Sequence, residues 1–156
     1  MNIAFVYYPR SSFVKQDCSS LSGHFRVERL GYSGAGDILK MMRPIWQSDL
    51  TFSWFASGHS FAAVLLSKLL RKRSAVVVGG YDVAFEPDIS YGQYTLGRHK
   101  RMYSDFVLGN ADIVLPVSEF TKSEVLARAK PKRVQVLYPG IDTDRFQPGG
   151  EKKDLV

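Results

Sequence analysis

Short, nearly continuous apolar runs alternate along this chain with stretches whose apolar residues recur every three to four positions. The runs cover residues 2–8, 25–30, 50–56, 74–79, 112–117 and 133–138. Segments such as AVVV and DIVLPV lack the polar alternation of a half-exposed strand, so they suit a parallel sheet buried on both faces. Helical spacing follows in 35–47, where Ile38, Leu39, Met42 and Ile45 share a face, and in 59–73, through Phe61, Ala62, Leu65, Leu66 and Leu69. It is weaker in 96–108, through Met102, Tyr103, Phe106 and Val107, and short in 119–129. The alternation predicts right-handed βαβ units and an α/β fold, a Rossmann-like doubly wound parallel sheet of about six strands. Residues 80–95 are polar and aromatic, without a clear period. A connection of that length is a candidate functional loop.

Composition narrows the class. The chain has 156 residues, 45% hydrophobic and 23% charged, which is an ordinary globular balance in one domain-sized unit. Cys18 is the single cysteine, so neither an internal disulfide nor a cysteine-rich metal site is expected. The first apolar run has no basic lead and is too short for a secretion signal or a membrane span, which predicts a cytoplasmic protein. Residues 1–148 read as one domain and 149–156 as the start of a linker. The final Leu155–Val156, opening a further apolar run, reads as a cut at that linker.

The stretch ADIVLPVSEFTKSEVLARAKPKRVQVLYPGIDTDRFQP carries a resemblance. Ala111 and Asp112 open a buried strand, and Ser118, Glu119, Thr121 and Lys122 open a helix. Gly140, Ile141 and Asp142 then follow a second run, and Phe146 and Pro148 close the pattern. In its ordered spacing this resembles the end of the N-terminal domain of the retaining, nucleotide-sugar-dependent glycosyltransferases often numbered family 4, whose fold is GT-B. Pro139 stands where asparagine is more usual. The segment WFASGHSFAAVLLSKLL resembles the strand, loop and helix lining the family's inter-domain cleft. SAVVVGGYDV resembles the next strand and its end, with Gly79 where histidine often stands.

The resemblance implies an acceptor-binding half of a glycosyltransferase, hexosyltransferase in type. No cofactor is expected in this chain. The expected partners are a nucleotide-sugar donor, a glycan or lipid-linked acceptor in the cell envelope, and a C-terminal donor domain not contained here. Alone, the chain is expected to be inactive. The implied cleft residues are Arg10, Ser11, Ser12, Ser57, His59, Gly80, Tyr81, Asp82, Ser118 and Glu119, with Gly140 and Asp142 at the hinge. Their residue types also have local reasons. Ser11 or Ser12 can cap a helix and leave its amides open to an anion, with Arg10 adding charge. Ser118 suits an N-cap and Glu119 the positive end of the helix, while Gly140 after Pro139 suits a turn needing positive φ. The other reading is a non-catalytic module for a phosphate-bearing small molecule.

The net charge of +6, with a pI of about 9.5, changes the picture only slightly. Lys68, Arg71, Lys72 and Arg73 form one basic cluster, and Arg98, His99, Lys100 and Arg101 another. Both are candidates for peripheral contact with the inner face of an anionic membrane. No nucleic-acid-binding motif accompanies them. His24, His59 and His99 lack metal-ligand spacing, so no metal is expected.

Overall fold

The computed structural model describes residues 1–8, 12–141 and 143. Among the described residues, five strands form one parallel sheet: β1 Asn2–Tyr7, β2 Arg26–Gly31, β3 Leu50–Trp54, β4 Arg73–Val78 and β5 Ile113–Pro116. Their order is β2-β1-β3-β4-β5. The helices are α1 Ser12–Ser22, α2 Ile38–Gln47, α3 Gly58–Leu69, α4 Arg98–Asn110 and α5 Glu119–Arg128. β2 is an edge strand, and the sheet reverses direction of growth between β1 and β3. A crevice opens at the carboxyl ends of the strands at such a reversal.

The expected sixth strand falls short. Residues 133–137 run parallel beside β5, with Val114 N–H donating to Arg133 at 2.9 Å and Gln135 N–H to Val114 at 3.1 Å. A single bridge, Val114 to Val134, results. The next rung needs an N–H on residue 116, and proline has none, so the ladder stops there.

Strand alternation divides the core. Ile3, Phe5, Phe52, Trp54, Ala75 and Val77 face Val14 and Cys18 of α1. On the other face Ala4 and Val6 meet Met41 and Ile45 of α2 and Ala62, Ala63 and Leu66 of α3. Val76, Val78 and Val114 extend that layer under Val64, Val107, Leu108 and Val125. Each Val, Leu, Ile, Phe or Met among them, fully buried, stabilises the fold by about 1.5–3 kcal/mol before its entropy cost. Four helices thus crowd one face and α1 covers the other. This firm layer fixes where each strand ends, and hence where each following loop begins.

Candidate active-site cleft

The turn after β3 is the most constrained backbone at the carboxyl edge. Phe55 has φ 67, a left-handed conformation that costs a bulky residue about 1–2 kcal/mol. Its N–H donates to Val77 at 2.7 Å and its carbonyl accepts from Ser57 N–H at 2.9 Å. The Ser60 hydroxyl donates to the same carbonyl at 2.6 Å. The next carbonyl, on Ala56, accepts from Gln93 Nε2 and Ser104 Oγ, both at 2.7 Å. Strain of this kind persists only where surrounding contacts over-determine it.

Gly79 explains where the Phe55 ring goes. A Cβ on residue 79 would lie 2.6 Å from Phe55 Cε1. The aromatic ring therefore occupies the space a side chain at 79 would need. The histidine expected at that position by resemblance is excluded while Phe55 keeps this conformation.

His59, read from the sequence as a cleft residue, is fully buried. One ring nitrogen, Nε2, bonds the Trp54 carbonyl, and the other, Nδ1, lies 2.9 Å from Ser57 Oγ. A carbonyl can only accept, so Nε2 carries the proton and the bare Nδ1 accepts from the Ser57 hydroxyl. Burial lowers the imidazole pKa to about 4, against the opposing effect of the Trp54 bond. The ring is neutral and acts through Ser57, whose oxygen is left with only lone pairs to offer.

Asp82 is equally enclosed. Its carboxylate accepts from Ala56 N–H at 2.7 Å, Gly80 N–H at 2.9 Å and Gly79 N–H at 3.1 Å. Burial raises its pKa to about 6, and these backbone donors limit the rise. Asp82 therefore ties the loop after β4 to the turn after β3. Gly80, at φ 110, supplies the left-handed step that points its amide inward.

Tyr8, Phe55, Ser57, Tyr81, Asp82, Gln93 and Lys100 line a cavity of about 390 Å³ at this edge. Three aromatic rings line it, with the Ser57 hydroxyl, the Gln93 amide, the Asp82 carboxylate and the Lys100 cation. The Tyr8 ring meets the His59 ring edge-on at 4.3 Å between centroids, and Tyr81 meets Tyr91 at 5.3 Å. A larger hollow of about 630 Å³ lies at the opposite edge, against Asn2, Arg26, Glu28 and Gln47. Ligands of open α/β sheets bind at the carboxyl ends, so the smaller cavity is the candidate site.

The 80–95 loop is firmly held, although its sequence looks irregular. Gln93 and Tyr94 are buried, and Tyr94 Oη donates to Asp105 at 2.5 Å. Burial and that carboxylate raise the Tyr94 pKa. Arg101 Nε donates to the Tyr94 carbonyl at 2.5 Å, and the Arg128 guanidinium sits 4.9 Å over the Tyr94 ring. At Gly92, φ 100, a Cβ would fall 2.1 Å from the Ala84 carbonyl oxygen.

The remaining sequence candidates separate clearly. Ser118 caps α5, accepting from Thr121 N–H at 3.1 Å. Glu119 pairs with Lys122 at 3.0 Å on the surface. Ser12 starts α1. Gly140 is not in the positive-φ region expected of it. Its carbonyl instead accepts from Gln16 Nε2 at 3.3 Å, as the segment leaves the side of β5. Arg10, Ser11 and Asp142 lie outside the described residues. Tyr8, Phe55, Gln93 and Lys100 were not named from sequence as cleft residues. Phe55 lay in the segment read as lining the cleft, Gln93 in the long loop, and Lys100 in a basic cluster assigned to a membrane surface.

Comparison with known proteins follows this geometry. The model of the family described as Glycosyltransferase Family 4 matches residues 23–145. Among solved structures, the UDP-GlcNAc 2-epimerase of Methanocaldococcus jannaschii is similar with a TM-score of 0.54 at 11% identity. The alignment covers 84% of this chain and 45% of that one. At that identity the likeness is one of fold, and the chain spans less than half of the epimerase. No curated protein matches.

Proposed function

Since this chain belongs to glycosyltransferase family 4, we propose that it forms the acceptor-side wall of a nucleotide-sugar-dependent glycosyltransferase of the GT-B type. The observation that carries the reading is the cavity between Phe55, Ser57, Tyr81 and Lys100 at the sheet reversal. Aromatic faces there suit the apolar faces of a sugar ring, and Lys100 suits an anionic group. Ser57, its proton committed to His59, accepts from a ligand hydroxyl. The chemistry asked of this wall is positioning: it holds an acceptor hydroxyl in line with a donor carried mainly by a second domain. Asp82 and His59 are positioning residues, since each acts on backbone or on Ser57. Peptide-level NMR titration of the 156-residue chain tests this. Glycan and glycoside probes should shift the resonances of Ser57, Tyr81 and Lys100, while nucleotide-sugars alone should bind weakly. Shifts confined to the hollow near Asn2 and Arg26 would overturn the assignment. Binding of simple phosphate esters without any response to glycosides would favour a non-catalytic phosphate-binding module.

A further inference from the structure

α2 buries one side and exposes an apolar stripe on another. Met41, Pro44 and Ile45 are enclosed, yet Leu39, Met42 and Trp46 are 77%, 42% and 62% exposed. These three recur at i, i+3 and i+7, which places them along one line of the helix. Arg43 follows Met42 directly, and Lys40 follows Leu39. An exposed tryptophan with aliphatic companions is an expensive surface unless something covers it.

The basic cluster at the end of α3 gathers beside this stripe. Leu66 and Leu70 pack in one cluster with Met41 and Ile45, so the last turn of α3 lies against α2. Leu69 there is 70% exposed. Arg71, Lys72 and Arg73 line a hollow with Met1, Asp49 and Leu50 at the amino edge of the sheet, just beyond the end of α2. Lys68 stands one residue before Leu69. The carboxylates nearby are Asp37, which pairs with Lys40 at 2.9 Å, Asp49, and Glu28, which shares a hollow with Arg26 and Gln47. Cations therefore outnumber anions around an exposed Leu-Met-Trp-Leu surface. The second basic cluster sits elsewhere, since Ser104 in the middle of α4 and Gln93 before the helix both bond the Ala56 carbonyl at the carboxyl edge. There Arg101 lies over Phe85 at 4.9 Å and is committed to the loop.

We propose that the outer stripe of α2 and the Lys68–Arg73 cluster form one docking surface for an anionic lipid bilayer. The apolar side chains enter the interfacial zone, with Trp46 at headgroup depth. The cations stay among the headgroups, each adding attraction that falls off within a Debye length. The inference stands apart from the proposed function and survives or fails without it.

Vesicle sedimentation of the 156-residue chain, with tryptophan emission read in parallel, tests it. Trp54 is buried, so Trp46 is the reporter. Phosphatidylcholine vesicles containing phosphatidylglycerol should carry the protein down at low salt and blue-shift its emission, and both effects should fade at high salt. Arg71→Gln/Lys72→Gln/Arg73→Gln should lower the partition constant on the order of a hundredfold. Leu39→Ser/Trp46→Ser should weaken binding with an unchanged circular dichroism spectrum, and Arg98→Gln/His99→Gln should leave it intact. Binding to neither vesicle, equal binding to pure phosphatidylcholine, or self-association that Leu39→Ser/Trp46→Ser abolishes in place of lipid binding would overturn the proposal.

Discussion

His59 and Asp82 grip adjacent peptide groups from two directions: the imidazole bonds the Trp54 carbonyl, and the carboxylate accepts Ala56 N–H at 2.7 Å. Phe55, with its left-handed backbone, is the residue caught between them. The strain at Phe55 is thus held by two buried titratable groups with opposite pKa shifts.

Their opposition predicts a flat acid profile. His59 falls from 6.5 to about 4 on folding, so its contribution is full above pH 6.5 and is lost as pH falls toward 4. Asp82 rises from 3.8 to about 6, so its contribution is full below pH 3.8 and is lost as pH rises through 6. Each effect is on the order of 3 kcal/mol at most, and they nearly cancel between pH 6 and 4. Denaturant unfolding at pH 7, 5.5 and 4.5 should show Asp82→Asn losing stability with acid more steeply than the parent. His59→Gln should show the reverse. Parallel pH profiles for all three proteins would contradict this account.

Phe55 and Gly79 should behave as a coupled pair. Gly79→Ala in the parent forces the ring to move and should cost about 1–3 kcal/mol. In a Phe55→Ala background the same change should cost much less, because the obstructing ring is gone. A double-mutant cycle on unfolding free energies measures the coupling. Additive effects would mean the ring is not what forbids a side chain at 79.

Gly92 should tolerate nothing larger. The Cβ position 2.1 Å from Ala84 O involves backbone on both sides, so no side chain can yield. Gly92→Ala should destabilise by about 2–4 kcal/mol and loosen the hold of Gln93 on Ala56. Thermal melts, with amide exchange at Tyr94 and Thr95, report both effects.

Activity should require more than this chain. On the proposed acceptor-side role, the 156-residue protein incubated with nucleotide-sugars and glycan acceptors is expected to release no nucleoside diphosphate, because an acceptor wall alone cannot hold both reactants in line. Sustained turnover would show that this chain binds the donor as well.

Much of the fold was legible because its signals are local. The runs that became β1, β3 and β4 are apolar enough to be read without their neighbours. Ser118 announced the cap of α5 by residue type and place. α1 was marked only by the capping candidates Ser11 and Ser12 and by Cys18, although Val14, Cys18 and Leu21 hold a helical interval. The cleft was less legible because its determinants are pairwise in space. A phenylalanine gives no sign that it will take φ 67, and a glycine gives no sign that a ring will cover it. His59 looked like a ligand contact by position, and only its two partners reveal a buried relay to Ser57.

The edge strand β2 has a consequence for behaviour in concentrated solution. Its sequence, RVERLG, exposes Arg26, Glu28 and Arg29 along a row of unpaired backbone groups. A neighbouring molecule seeking to add a strand there would have to desolvate alternating charges, which discourages fibril-like growth. On the far side the stretch 133–137 already lies against β5, and Pro116 interrupts the template. Edge-to-edge aggregation is therefore resisted by charge at the β2 margin, while at the other side β5 is covered by 133–137.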